Sequence, residues 1–161
     1  MPIQQMLLAT GSSSVNLSDN YWMLNYTEGH TTYTMQEGNG VAVDNTDGSV
    51  YVCGYHIANP NANTEDTIIA KFDITGVLQW QRKLDSGTGS YNNSRGKSLA
   101  VDSSGNVYIC GHAVSSSGIG NVDAFLVKFN SSGVLQWERL LGSSGEAEYF
   151  TDIKIDSSDN I

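Results

Sequence analysis

The sequence predicts an all-β fold made of small four-stranded sheets stacked side by side. Two observations carry that prediction: a long internal repeat, and the lack of any helical apolar period inside it. Asp47 to Leu84 aligns without gaps on Ser104 to Leu141 at an offset of 57, with 15 of 38 positions identical. Val50-Tyr51-Val52-Cys53-Gly54 returns as Val107-Tyr108-Ile109-Cys110-Gly111, and Gly76-Val77-Leu78-Gln79-Trp80 returns as Gly133-Val134-Leu135-Gln136-Trp137. A fixed period of this length is the mark of a repeat architecture. No segment keeps an i, i+3, i+4, i+7 apolar pattern over ten residues, so helix is a poor competitor.

Each copy holds four short apolar segments. In the second they are Ser98–Asp102, Asn106–Gly111, Ala124–Phe129 and Val134–Leu141. The first and second are joined by Asp102-Ser103-Ser104-Gly105-Asn106, and in the first copy by Asp44-Asn45-Thr46-Asp47-Gly48. The third and fourth are joined by Asp73-Ile74-Thr75-Gly76 and Asn130-Ser131-Ser132-Gly133. These are Asx, Ser and Gly turns, the chemistry of hairpins. Four antiparallel strands in a meander form one propeller blade. The first three strands carry apolar groups on both faces, as Val50 to Cys53 and Ile68 to Ala70 show, which suits a sheet sandwiched between two others. The fourth alternates Leu78, Trp80 and Leu84 with Gln79, Gln81 and Lys83. It reads as a half-wetted outer edge, its charges opposing edge-to-edge pairing.

The predicted architecture is a partial β-propeller: about two complete blades plus parts of two others. Residues 38–84 and 97–141 make the two blades. Val41-Ala42-Val43-Asp44 matches Leu99-Ala100-Val101-Asp102 and then Ile153-Lys154-Ile155-Asp156, so residues 151–161 begin a further blade. Trp22 lies 58 residues before Trp80, which places the outer strand of a preceding blade at 21–27 and a leader or anchor at 1–20. The chain reads as part of a longer protein. Alone it is expected to self-associate, because repeat arrays need capping.

Composition narrows the function. The chain has 161 residues, 8 Lys and Arg against 17 Asp and Glu, and a net charge of −9. Such a charge repels a phosphate backbone and an anionic lipid surface, so neither nucleic acid nor membrane is an expected partner. No apolar run approaches the length of a spanning helix. The start lacks a basic segment and a secretory apolar core, so synthesis in the cytoplasm is expected.

The string Ala100 to Gly142, AVDSSGNVYICG…DAFLVKFNSSGVLQWERLLG, resembles the bacterial β-propeller repeat of the SBBP type. The family pattern of Val-Asp-x-x-Gly-Asn-x-Tyr, Lys-Phe, Gly and Leu-x-Trp is nearly complete here, and the resemblance extends over about Tyr21 to Ile161. It implies a closed ring, seven blades being a candidate count; this chain holds too few to close one. Met1 to Ala9 resemble the N-termini of structural proteins of marine tailed phages. That implies a virion appendage, such as a tail fibre or receptor-binding part.

In a meander, the first-to-second and third-to-fourth turns lie on one rim and the other connections lie opposite. The opposite rim collects the longer predicted loops Tyr55–Glu65, His112–Val122, Asp85–Lys97 and Gly142–Thr151. The first two of these share no identity in 11 aligned positions. Loops on a rigid scaffold carry recognition. The candidate ligand-binding residues are Tyr55, His56, Asn59, Tyr91, Asn92, Arg95, His112 and Tyr149, with Asn61, Asn63 and Asn93 beside them. Aromatic rings among amide donors suit a sugar.

The chemistry of catalysis is not written here. His30, His56 and His112 show no metal-ligand spacing, and His112 aligns with Tyr55. Asp44, Asp102 and Asp156 recur, as do Asp66 and Asp123; recurrence at strand ends predicts turn capping rather than acid–base work. No serine sits in a nucleophile elbow. Cys53 and Cys110 occupy one place in neighbouring sheets about 10 Å apart, too far for a disulfide. They read as buried thiols. Lys71 and Lys128 read as stem-buried, and Trp22, Trp80 and Trp137 as packing between blades. No catalytic residue, metal or cofactor is expected. The expected function is a non-enzymatic structural or binding protein: a phage virion appendage displaying the propeller, assembled in the host cytoplasm. Its expected partners are other virion proteins, further copies of itself, and a host-surface glycan or protein. Two other readings fit the residues: a bacterial surface or secreted propeller, and part of a propeller enzyme whose active site lies in other blades.

Overall fold

The computed structural model describes residues 25–28, 31–59, 64–84, 91–115, 122–143 and 145–161. Among them there are strands and turns and no helix. The strands are β1 (Asn25–Glu28), β2 (Thr31–Val43), β3 (Val50–Asn59), β4 (Thr64–Phe72), β5 (Leu78–Leu84), β6 (Tyr91–Val101), β7 (Val107–Ser115), β8 (Val122–Phe129) and β9 (Leu135–Leu141). They form two antiparallel meanders, β1-β2-β3-β4-β5 and β6-β7-β8-β9. The molecule is a partial β-propeller of four-stranded blades, the first extended by β1. Trp22 lies outside the described residues. Of the strand expected at 21–27, the described part pairs with the start of β2, Glu28 opposite Thr31, in a hairpin on the first blade.

The turns form as their residues dictate. Gly48, Gly76, Gly105 and Gly133 all have φ between 73° and 85°, a region open to glycine at little cost. In each turn the leading side chain organises the loop. Asp102 Oδ1 accepts the backbone N–H of Ser104 and Asn106 at 3.0 and 2.8 Å. Asp44 accepts Thr46, Asp156 accepts Ser158 and Asn160, and Asn130 accepts Ser132 and Val134 in the same manner. The recurring Asp44, Asp102 and Asp156 are therefore turn caps. Asp66 departs from the capping expectation. It lies within β4, opposite His56, with its carboxylate 3.5 Å from His56 Nε2 and 3.4 Å from Lys83 Nζ.

The core sits between the blades. Tyr51, Cys53 and Ile69 from the first meet Leu99, Val107, Ile109, Phe125, Val127 and Phe129 from the second. Parity explains the set, since alternate strand residues point to opposite faces. Polar contacts fix the stacking. Tyr51 Oη donates to Gly105 O at 3.0 Å, Trp80 Nε1 to Ser131 O at 3.0 Å, and Arg82 Nε to Gly133 O at 2.7 Å. Trp80 is thus an inter-blade residue, as its repeat position predicted. Trp137 repeats the local arrangement on the second blade, packed edge-on against Tyr108 at 5.9 Å. Lys71 and Lys128 lie over Tyr51 and Tyr108 and approach Asp47 and Asp102 at 3.4 and 3.6 Å.

Residues 151–161 lie along the open face of the second blade without a ladder partner among the described residues. Ser98 Oγ donates to Asp152 Oδ1 at 2.8 Å, and Ser103 donates from N–H and Oγ to Asp159. Asp159 has φ 61° where the earlier copies have glycine. Between this segment and the blade, Cys110, Leu126, Phe150, Ile153 and Ile161 line a cavity of roughly 220 Å³.

Candidate functional site

The rim opposite the short turns is built by strands more than by loops. β3 and β7 run past the predicted strand ends to Asn59 and Ser115, and β6 begins at Tyr91. Tyr55, His56, Asn59, Tyr91, Asn92, Arg95 and His112 are therefore strand residues, a correction to the loop assignment. Backbone ladders hold there because the partner strands extend with them: Ile57 pairs with Glu65 and Asn92 with Val114. The side chains of Asn59, Tyr91 and Asn92, and the whole of Asn61 and Asn63, lie outside the described residues. His56 is 0% exposed and faces Asp66, so it is corrected from a ligand contact to an interior residue.

A repeated bulge aims the remaining side chains. The register of β2 shifts between Gly38 and Gly40, and that of β6 between Gly96 and Ser98. The bulged strand comes so close to its neighbour that no side chain fits there. A Cβ on Gly54 would lie 1.9 Å from Glu37 O, and one on Gly111 would lie 2.1 Å from Arg95 O. Bulges re-aim side chains and cluster at functional edges. Here they project Glu37 and Arg95, equivalent positions at an offset of 58; Tyr149, a further 54 along, is the third equivalent.

These residues join across the blades. Tyr55 Oη donates to Glu37 Oε2 at 2.9 Å. The Arg95 guanidinium lies 4.8 Å from the centre of the Tyr55 ring, a cation–π distance. Arg95 Nη2 donates to Glu65 Oε1 at 2.6 Å and Nε to the other carboxylate oxygen, a bidentate pair. His112, the strand partner of Arg95, meets Tyr149 edge-on with ring centres 4.9 Å apart. So Arg95 covers Tyr55 from the next blade, and Tyr149 covers His112 from the segment after that. The same step is taken twice with different side chains.

The blade junction below is also polar. Ser94 Oγ accepts the Thr67 N–H and Asn93 Oδ1 accepts the Glu65 N–H, both at 2.9 Å. Asn93 holds φ 52°, a conformation that asparagine tolerates. Electrostatics tune the rim. Burial pushes His112 below the ordinary imidazole value, and the charges of Lys97 and Arg95 push the same way. Burial, then the Glu37 carboxylate, raises Tyr55, while the hydrogen bonds Arg95 donates to Glu65 raise Arg95.

Four of the predicted residues, Tyr55, Arg95, His112 and Tyr149, thus come together. Glu37 and Glu65 complete the cluster and were missed. The repeat alignment held the signal for Glu37, since it sets that acid at the position of Arg95.

One stretch of the second blade resembles a known repeat. Residues 87–116 match the beta-propeller repeat (SBBP) family. The propeller repeat so matched covers β6 and β7, and with them Arg95, Gly111 and His112. No curated protein matches the chain. Among the described residues, no group of three or more His, Cys, Asp or Glu is placed to hold a metal, and no helix is long and apolar enough to cross a membrane.

Proposed function

We propose that this chain is a non-enzymatic binding and structural scaffold that displays the rim of Tyr55, Arg95, His112 and Tyr149. One observation carries the reading. Two blades share their turns, bulges and interface residues, yet place different side chains at equivalent rim positions. A framework held constant beneath a varied edge is the arrangement of a recognition surface. Aromatic rings beside fixed polar groups suit a glycan, and Tyr149, 53% exposed, is the available stacking platform. The N-terminal resemblance favours a phage particle as its location, in a tail fibre or receptor-binding part anchored by residues 1–20 and contacting other virion proteins.

The test is binding of the purified chain to a printed glycan panel, run beside hydrolase and lyase assays on the same sugars. Binding without turnover, weakened about tenfold by Tyr149→Ala, is expected for loss of one well-packed aromatic contact. Turnover of any panel sugar, or binding that Tyr149→Ala leaves unchanged, overturns the reading. Mass spectrometry of purified particles checks the location.

A further inference from the structure

The His112–Tyr149 contact differs from the rest of the rim because it is closed against a proton. His112 is half-buried on β7. Its Nδ1 is enclosed and has no hydrogen-bond partner among the described residues. A neutral imidazole tolerates that, since one of its nitrogens carries no hydrogen. An imidazolium must donate from both nitrogens, and a buried donor without an acceptor is costly. The charged groups around the ring oppose protonation further. Arg95 and Lys97 on β6 are both cationic and both disfavour it, while Glu65 on β4 favours it less strongly. On β8 the residue opposite His112 is the uncharged Ala124. From the segment that follows β9, Tyr149 covers the ring; the neighbouring Glu148 accepts Ser143 N–H and Oγ through Oε1, while its Oε2 is enclosed and makes no hydrogen bond among the described residues.

Tyr149, itself half in solvent, lies edge-on over the His112 ring. We propose that this pair is a proton-sensitive catch on the rim: closed while the imidazole is neutral, open once it is protonated. Opening moves the Tyr149 ring off His112, so water can accept from Nδ1. Linkage requires this direction. A state that binds the proton more readily is the one acidification populates. The catch rests on the rim geometry and not on what the rim binds.

The test needs no ligand. The His112 ring protons and the nuclear Overhauser contacts between His112 and Tyr149 are followed by NMR from pH 8 to pH 5 in the whole chain. The expected result is loss of the His112–Tyr149 contacts in step with the His112 titration. In Tyr149→Ala the His112 midpoint moves up toward the ordinary imidazole range. In His112→Gln, Tyr149 holds one position across the whole pH range. The proposal is overturned if the ring contacts persist below the His112 midpoint, or if Tyr149→Ala titrates as the parent does. A failed glycan panel with a working catch would sink only the binding proposal; a bound glycan with a pH-independent contact would sink only this one.

Discussion

Gly133 shows how one missing side chain holds two blades together. Its φ of 74° is left-handed, and a Cβ there would lie 2.7 Å from the Trp80 ring. Gly133→Ala therefore combines backbone strain on the order of 1–2 kcal/mol with displacement of the tryptophan. Gly145 also has positive φ but would meet nothing within 4 Å, so Gly145→Ala carries the backbone part alone. Urea unfolding of the two variants should rank Gly133→Ala as clearly less stable; equal midpoints would mean that the Trp80 contact is not tight. The thiols give a second check. Burial pushes Cys53 up to about 12 and Cys110 up to about 11. Alkylation at pH 8 should leave both intact in the folded chain and modify both in urea, since the thiolate is the reacting form. Modification of either in the native chain would contradict its burial.

Among the elements, the junction of β4 with β6 is uneven in a testable way. Glu65 is buried, its side chain 9% exposed, whereas the Arg95 side chain is 38% exposed. Removing the arginine leaves a buried carboxylate facing no cation. Removing the acid leaves a guanidinium that can turn to water. Arg95→Met should therefore destabilise more than Glu65→Gln, with the double variant recovering part of the loss. A thermodynamic cycle by denaturant unfolding measures this, and the reverse order would place the acid in water. The outer strands differ too. Trp80 on β5 donates to the next blade, while Trp137 on β9 packs on its own Tyr108. Trp80→Ala should cost up to about 3 kcal/mol, the low end for a large-to-small change, and Trp137→Ala less.

For the whole molecule, stability should respond to pH in two separate windows. His112 is depressed in the fold, so the unfolded chain binds its proton first. Stability is full above the ordinary value of 6.5 and declines as pH falls from there through the folded value. The lowered aspartates, Asp102 among them, contribute stability above their ordinary 3.8 that is lost as pH falls through their folded values. Denaturant midpoints against pH should show both declines, and His112→Gln should remove only the upper one. The outer strand of the second blade exposes Leu135 at 47% and Leu141 at 50%. Concentration-dependent association by sedimentation velocity is expected from such apolar area; a monomer at every concentration would contradict it.

Strand order, turn positions and the inter-blade role of Trp80 were legible in the residues because each rests on local chemistry or on alternation. Asp-x-x-Gly turns declare themselves, and period-two burial assigns faces. The caps Asp44, Asp102 and Asp156 followed from recurrence alone. The sequence could not show that the strands run on through Tyr55, His112 and Arg95, because the bulges at Gly38–Gly40 and Gly96–Ser98 break the alternation that marks a strand. Nor could it separate His56, sealed against Asp66, from Tyr55 beside it, since adjacent strand residues face opposite ways and only the neighbouring layer decides which is buried. The rim itself, Arg95 over Tyr55 and Tyr149 over His112, joins residues 40 and 37 positions apart. Contacts of that span depend on how one blade sits on the next, which tertiary packing alone determines.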